Sequence, residues 1–143
     1  MKTSNAIVWL AWLIAVLALG AAGAGLFWPH GGRPFPFTTL RGEAVSVYGE
    51  GLYRYDTLFI GAGYRGQDAV VLALGIPLLV CATWLYRRGS LRGGLLLVGM
   101  LGYFLYVYAS MALGAAYNEL FLVYVALFSA SLFAFVRAFA AVD

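Results

Sequence analysis

The sequence predicts an all-α membrane protein: an antiparallel four-helix transmembrane bundle with a small β-hairpin and short-helix cap on its extracytoplasmic side. Three observations predict it. Of the 143 residues, 64% are hydrophobic and only 10% charged, whereas a soluble domain is about half apolar and a quarter charged. The apolar residues fall in four runs, over about residues 6–28, 68–86, 94–117 and 119–140. Each is close to the length of about 20 residues that a hydrocarbon core about 30 Å thick requires. The one long interruption, residues 29–67, gathers most of the polar side chains into a single loop. Subtracting the runs leaves no room for a second soluble domain, so residues 1–143 are expected to form one integral membrane domain.

The first run opens at Ser4-Asn5, both favourable N-caps, and stops at Trp28-Pro29, an interfacial aromatic followed by a helix breaker. Met1-Lys2, an apolar stretch and the small residues Ala21-Ala22-Gly23-Ala24 have the outline of a signal peptide. The run to Trp28, however, outlasts the usual apolar region of one, and a retained helix is expected.

Gly31-Gly32-Arg33-Pro34-Phe35-Pro36 reads as an irregular connector. Glu43–Tyr48 alternates, Gly49-Glu50-Gly51 has turn chemistry, and Leu52–Tyr55 alternates again. That pattern predicts a hairpin with a three-residue loop. An isolated two-stranded hairpin is marginal in water, so it should lie on the bundle mouth or against a partner. Asp56-Thr57 is placed to cap a short helical turn, Leu58–Tyr64, before Gly66 resets the chain.

The second span is expected to begin near Gln67-Asp68, with the acid in its dipole-favoured first turn, and to kink at Pro77. Arg87–Gly94 is long enough only for an antiparallel turn, and Tyr117-Asn118 makes spans three and four a tight helical hairpin. In span four, Ala126, Ala130, Ala134 and Ala138 recur every four residues. Small residues at that spacing let helix backbones approach closely in lipid, so the stripe should face another helix of the bundle or of a second chain.

Net charge is +3, and its placement is informative. Lys2, Arg87, Arg88, Arg92 and Arg137 flank the spans at one end, which places both termini in the cytoplasm by the positive-inside rule. Arg33, Arg41, Arg54 and Arg65 in the long loop argue the other way, but Glu43, Glu50, Asp56 and Asp68 balance them. An inner (plasma) membrane location follows, multi-pass with lipid as the surrounding partner. A loop so balanced offers no basic patch for nucleic acid. Cys81 has no partner for an intramolecular disulfide. With His30 the only histidine, neither a Cys/His zinc site nor bis-His haem ligation is available. No cofactor is expected.

Three groups of residues could carry chemistry. Tyr103, Tyr106, Ser110 and Tyr117 share a side of span three, and a mid-membrane phenol wants a hydrogen-bond partner. They either satisfy one another or line a polar seam for an amphipathic or quinone-type ligand. Asn118 is placed to cap span four with Glu119 in its first turn; alternatively Glu119 pairs with Arg54 or Arg65, or takes a cation or proton. Arg54, Tyr55, Asp56 and Asp68 form the densest polar set, and arginine–carboxylate pairs pinning the loop are its expected use. No nucleophile elbow, zinc helix motif, P-loop or dinucleotide fingerprint is present, and no residue is assigned a catalytic role.

The runs Tyr48–Thr57, Arg65–Asp68, Arg87–Gly93 and Tyr117–Leu127 resemble those of a family of bacterial four-span small integral membrane proteins without an assigned activity. The resemblance covers roughly Arg41 to the C-terminus. It implies a four-span bundle with an external loop, and it gives no residue a role. The leading expectation is therefore a non-enzymatic component, a partner-binding or accessory subunit working as a homo-oligomer or within a larger complex. A transporter or ligand-binding bundle built on the tyrosine seam and Glu119 is the alternative, and a membrane enzyme using the loop acids is the third.

Overall fold

A computed structural model describes residues 2–142. They are mostly helical, with four helices long and apolar enough to cross a membrane and one small two-stranded sheet. Helix α1 spans Asn5–Phe27, and strands β1 (Phe35–Thr38) and β2 (Ala44–Val47) follow. Helix α2 spans Leu58–Arg87, α3 Leu91–Gly114 and α4 Phe121–Ala141.

Two contacts at opposite ends show that α1 and α2 run antiparallel. Ser4 N, just before α1, donates to the Tyr86 hydroxyl near the end of α2 at 2.9 Å. Gly25, near the end of α1, lies against Asp68 in the first half of α2. The short links Arg88–Ser90 and Ala115–Leu120 then reverse the chain twice more. Helix α3 packs on α2 and α4, and α1 closes the bundle against both α2 and α4. The core these contacts bury is built from Ile14, Ala18, Leu79, Leu97, Leu101, Phe104, Tyr108, Leu127 and Ala134.

The sheet differs from the expected one. Glu43–Tyr48 does supply a strand, but Ala44–Val47 pairs with the upstream Phe35–Thr38, in the register Phe35 opposite Val47 and Phe37 opposite Val45. The intervening turn explains the choice: Thr39 N donates to Glu43 O at 2.8 Å, Thr39 Oγ1 accepts from Glu43 N at 3.1 Å, and Gly42 takes the positive φ of 81° that the reversal needs. Pro36 is tolerated because a two-stranded sheet has only edge strands. Leu52–Tyr55 cannot be the second strand. Leu52 and Tyr53 are consecutive and both buried, which a strand on one surface cannot achieve. This segment is a run of turns held under Tyr48, whose N–H donates to Asp56 O at 2.8 Å.

Helix α2 also corrects the reading of two separate pieces. Thr57 caps it as expected, accepting from Ile60 N at 3.4 Å. Gly66 does not reset the chain, however, and the helix runs unbroken for 30 residues. A glycine costs a helix only about 1 kcal/mol, which the packing of this segment against α1 overrides. The expected disturbance at Pro77 appears as a π-helical turn over Val71–Gly75. Widening the backbone just before proline accommodates its ring and its missing N–H.

Candidate functional site

The loop between β2 and α2 folds onto the bundle mouth as a cap, held by polar contacts that start from sequence neighbours. Tyr53 points inward, and its hydroxyl donates to Asp68 Oδ2 while accepting from the Tyr124 hydroxyl at 3.4 Å. Asp68 is 1% exposed. Its approach to α1 is possible because residue 25 is glycine; a Cβ there would run into the carboxylate. Burial, and next the adjacent Asp68 carboxylate, hold the Tyr53 phenol far above its ordinary pKa. It therefore stays a donor.

Arg54 points outward and pairs with Glu119 in the α3–α4 link. Its other nitrogen donates to Gly51 O at 3.1 Å, and its guanidinium lies 4.7 Å from the Tyr55 ring centre. The hydrogen bond from Arg54 holds Glu119 below the usual carboxylate range. Asp56 is buried and accepts from Ala116 N at 2.8 Å through Oδ1. Desolvation pushes its pKa up, against the opposing effect of that N–H. Arg65 donates to the Tyr48 hydroxyl at 3.1 Å, to Leu26 O at 3.3 Å and to Glu50 at 3.4 Å. The cap is thus tied to α1, α2, α4 and the α3–α4 link.

The structure brings together Arg54, Tyr55 and Glu119, which with Tyr117 and Asn118 line a shallow depression of about 270 Å³. It leaves Arg65 with Glu50 rather than Glu119. The three acids do not converge: Asp56 takes a backbone N–H, Asp68 a phenol and Glu119 a guanidinium. Asn118 does not cap α4 as expected. Its Oδ1 accepts from Leu120 N at 3.0 Å in an Asx turn, so α4 starts at Phe121 and Glu119 precedes it. Among the described residues, no group of three His, Cys, Asp or Glu side chains could hold a metal ion.

The tyrosine row splits as well. Tyr103 accepts from Gln67 Nε2. Tyr106 and Tyr117 are exposed at 73% and 77%. Ser110 turns back to its own helix, donating to Val107 O at 2.7 Å. The buried stripe of α3 is instead Met100, Phe104, Val107, Tyr108 and Met111, offset from the expected side by about a quarter turn. Tyr108 stacks between Phe104 and Tyr124 at 6.1 and 6.3 Å between ring centres. In α4, Ala130, Ala134 and Ala138 are buried as expected, but Ala126 is exposed, because four-residue steps drift around a 3.6-residue helix.

Tyr53, Gln67 and Tyr124 belong to this inner network without having been singled out by sequence. Only the consecutive apolar pair Leu52-Tyr53, in a loop otherwise polar, hinted that Tyr53 turns inward. The class thus defined is a capped helical bundle in which Glu50, Asp56, Asp68 and Glu119 are tied into its own structure. No family model, curated protein sequence or solved structure matches the chain, and the resemblance to bacterial four-span proteins gains no support from these comparisons.

Proposed function

We propose that the protein is a non-enzymatic integral membrane component, a partner-binding or accessory subunit that uses its bundle as a scaffold for the extracytoplasmic loop. One observation carries this reading. The polar side chains of the cap are engaged with the bundle, while the hairpin beyond them presents Phe35, Phe37 and Leu40 to solvent, Leu40 completely. Apolar side chains at the tip of an otherwise anchored loop are suited to a protein contact. The partner is a second membrane component or another copy of this chain.

Photo-crosslinking tests it. A photoreactive residue at Phe37, introduced in native membranes, should give one discrete protein adduct, and Leu40→Ser should abolish it. Adducts to lipid alone would overturn the reading. The orientation proposed with it places both termini in the cytoplasm of the inner membrane. In a Cys81→Ala background, a cysteine at Ser90 should then label only from the cytoplasm and one at Glu50 only from outside.

A second reading is favoured by an open groove of about 460 Å³ between α2 and α3, where Tyr64, Gln67, Tyr106 and Ser110 meet Phe59 and Ile60. Its mixed lining suits an amphipathic or quinone-type ligand. Binding of a quinone analogue that Tyr106→Ala weakens would support it; binding indifferent to that change would not.

A further inference from the structure

Among the described residues, the charged side chains at the end of the bundle opposite the cap are all basic. Lys2, Arg87, Arg88, Arg92 and Arg137 all lie there, whereas Glu43, Glu50, Asp56, Asp68 and Glu119 belong to the cap side. The salt bridges among the described residues, Arg54–Glu119 and Arg65–Glu50, are both at the cap. Asp143, the one acid at the basic end by sequence, lies outside the described residues. Arg88 lies over the Trp84 ring, 3.6 Å from its centre.

Arg87 is different. It stands at the rim of a groove of about 330 Å³ between α1 and α2, whose other lining residues are Asn5, Val8, Trp9 and Trp12. Trp9 is 75% exposed and Trp12 41%. Its lining is mostly one face of α1, where three apolar side chains stand with the Asn5 amide, and α2 adds the single guanidinium of Arg87.

We propose that this groove seats an anionic phospholipid. An acyl chain would lie along Val8 and Trp12, Trp9 would sit at headgroup level, and Arg87 with the Asn5 amide would take the phosphate. The pieces agree in kind. Indole rings favour the membrane interface, a guanidinium forks onto phosphate oxygens, and a cation beside the phosphate favours a lipid with net negative charge over a zwitterion. The proposal rests on the membrane-embedded reading of the bundle.

The test uses the full chain in detergent, incubated separately with phosphatidylglycerol and phosphatidylcholine, and counts retained lipid by native mass spectrometry. Wild type should retain phosphatidylglycerol about fivefold over phosphatidylcholine, the factor one basic side chain near an anionic charge carries. Arg87→Gln should remove the preference and Arg137→Gln should keep it, while Trp9→Ala should lower retention of both lipids. Equal retention by wild type would overturn the site, as would equal losses in the two arginine variants, which mean diffuse attraction only. Flotation of the chain with vesicles of the two lipids separates the underlying reading. A chain that stays at the bottom of the gradient sinks both; one that floats but shows no preference sinks the lipid site alone.

Discussion

Tyr53 and Asp68, 15 residues apart, meet in the interior where the cap enters the bundle, the phenol donating to one carboxylate oxygen. The other oxygen, Oδ1, is buried without a partner, and so is the Tyr108 hydroxyl. A carboxyl group in this position depends on its single donor, because a buried polar group left unsatisfied costs about 1–3 kcal/mol. Tyr53→Phe should therefore lower stability by about that amount. Asp68→Asn keeps an acceptor for the phenol, so it should be tolerated. Thermal unfolding in detergent checks the ranking. A damaged Asp68→Asn beside an unaffected Tyr53→Phe would show that the carboxylate charge, not its donor, holds the cap.

Gly25 is the steric condition for that contact. At Gly20 and Gly23 on the same helix, an added Cβ meets nothing within 4 Å, whereas at Gly25 it meets both the Asp68 carboxylate and the Tyr53 hydroxyl. Gly→Ala inside a helix otherwise gains about 0.5–1 kcal/mol. Gly20→Ala and Gly23→Ala should thus be neutral or stabilising, while Gly25→Ala should cost about 1–3 kcal/mol through overpacking. Limited proteolysis of the loop gives a second readout, with faster cleavage only in Gly25→Ala. Three equal responses would contradict the close approach of α1 and α2.

Two acids of the mouth should titrate with opposite signs. The pKa of Glu119 is lowered by Arg54, so its contribution to stability is present above the ordinary glutamate range and is lost as pH falls through its folded value. The pair is exposed, and its worth is about 0.2–1 kcal/mol. The pKa of Asp56 is raised by burial, so the folded state holds this proton more tightly than the unfolded chain does. Stability should consequently fall as pH rises from the ordinary aspartate value through the raised one. Asp56→Asn should flatten that part of the unfolding-versus-pH curve, and Glu119→Gln should flatten the more acidic part. Curves shifted by a constant at every pH would refute both assignments.

How far the sequence foretold this molecule depended on the range of the interaction involved. Helices α1, α3 and α4 follow from apolar length, whereas complementary charge left Arg54 and Arg65 as equal candidates for Glu119, beside a plain place for it in the first turn of span four. The partner of Ala44–Val47 did not follow, because two prolines and two glycines make the upstream segment read as irregular, whereas the decision falls to Gly42 and Thr39 in the turn. The unbroken α2 was hidden by Gly66, whose local cost is outweighed by packing that no window of sequence contains. The Tyr53–Asp68 contact was least legible of all. It requires a loop tyrosine to point inward and the distant helix α1 to carry glycine at one position, and neither residue type announces the pairing.

The alanine stripe of α4 gives the sharpest check on packing in the bundle. Ala134 is fully buried where α4 meets its neighbours, while Ala126 is exposed. Close-packed interiors resist added volume, and three extra carbon atoms at Ala134 should force neighbouring side chains off their rotamers at about 1–3 kcal/mol or more. At Ala126 the same change should lie within about 0.5 kcal/mol of wild type. If Ala126 instead lies at an interface with a second copy of this chain, Ala126→Leu will leave the monomer's unfolding unchanged but shift the oligomer distribution in cross-linking toward monomer. Ala134→Leu will damage folding at every concentration. Measuring unfolding and cross-linking for both variants separates packing inside the bundle from packing between bundles, and a harmless Ala134→Leu would refute the arrangement of α4 against its neighbours.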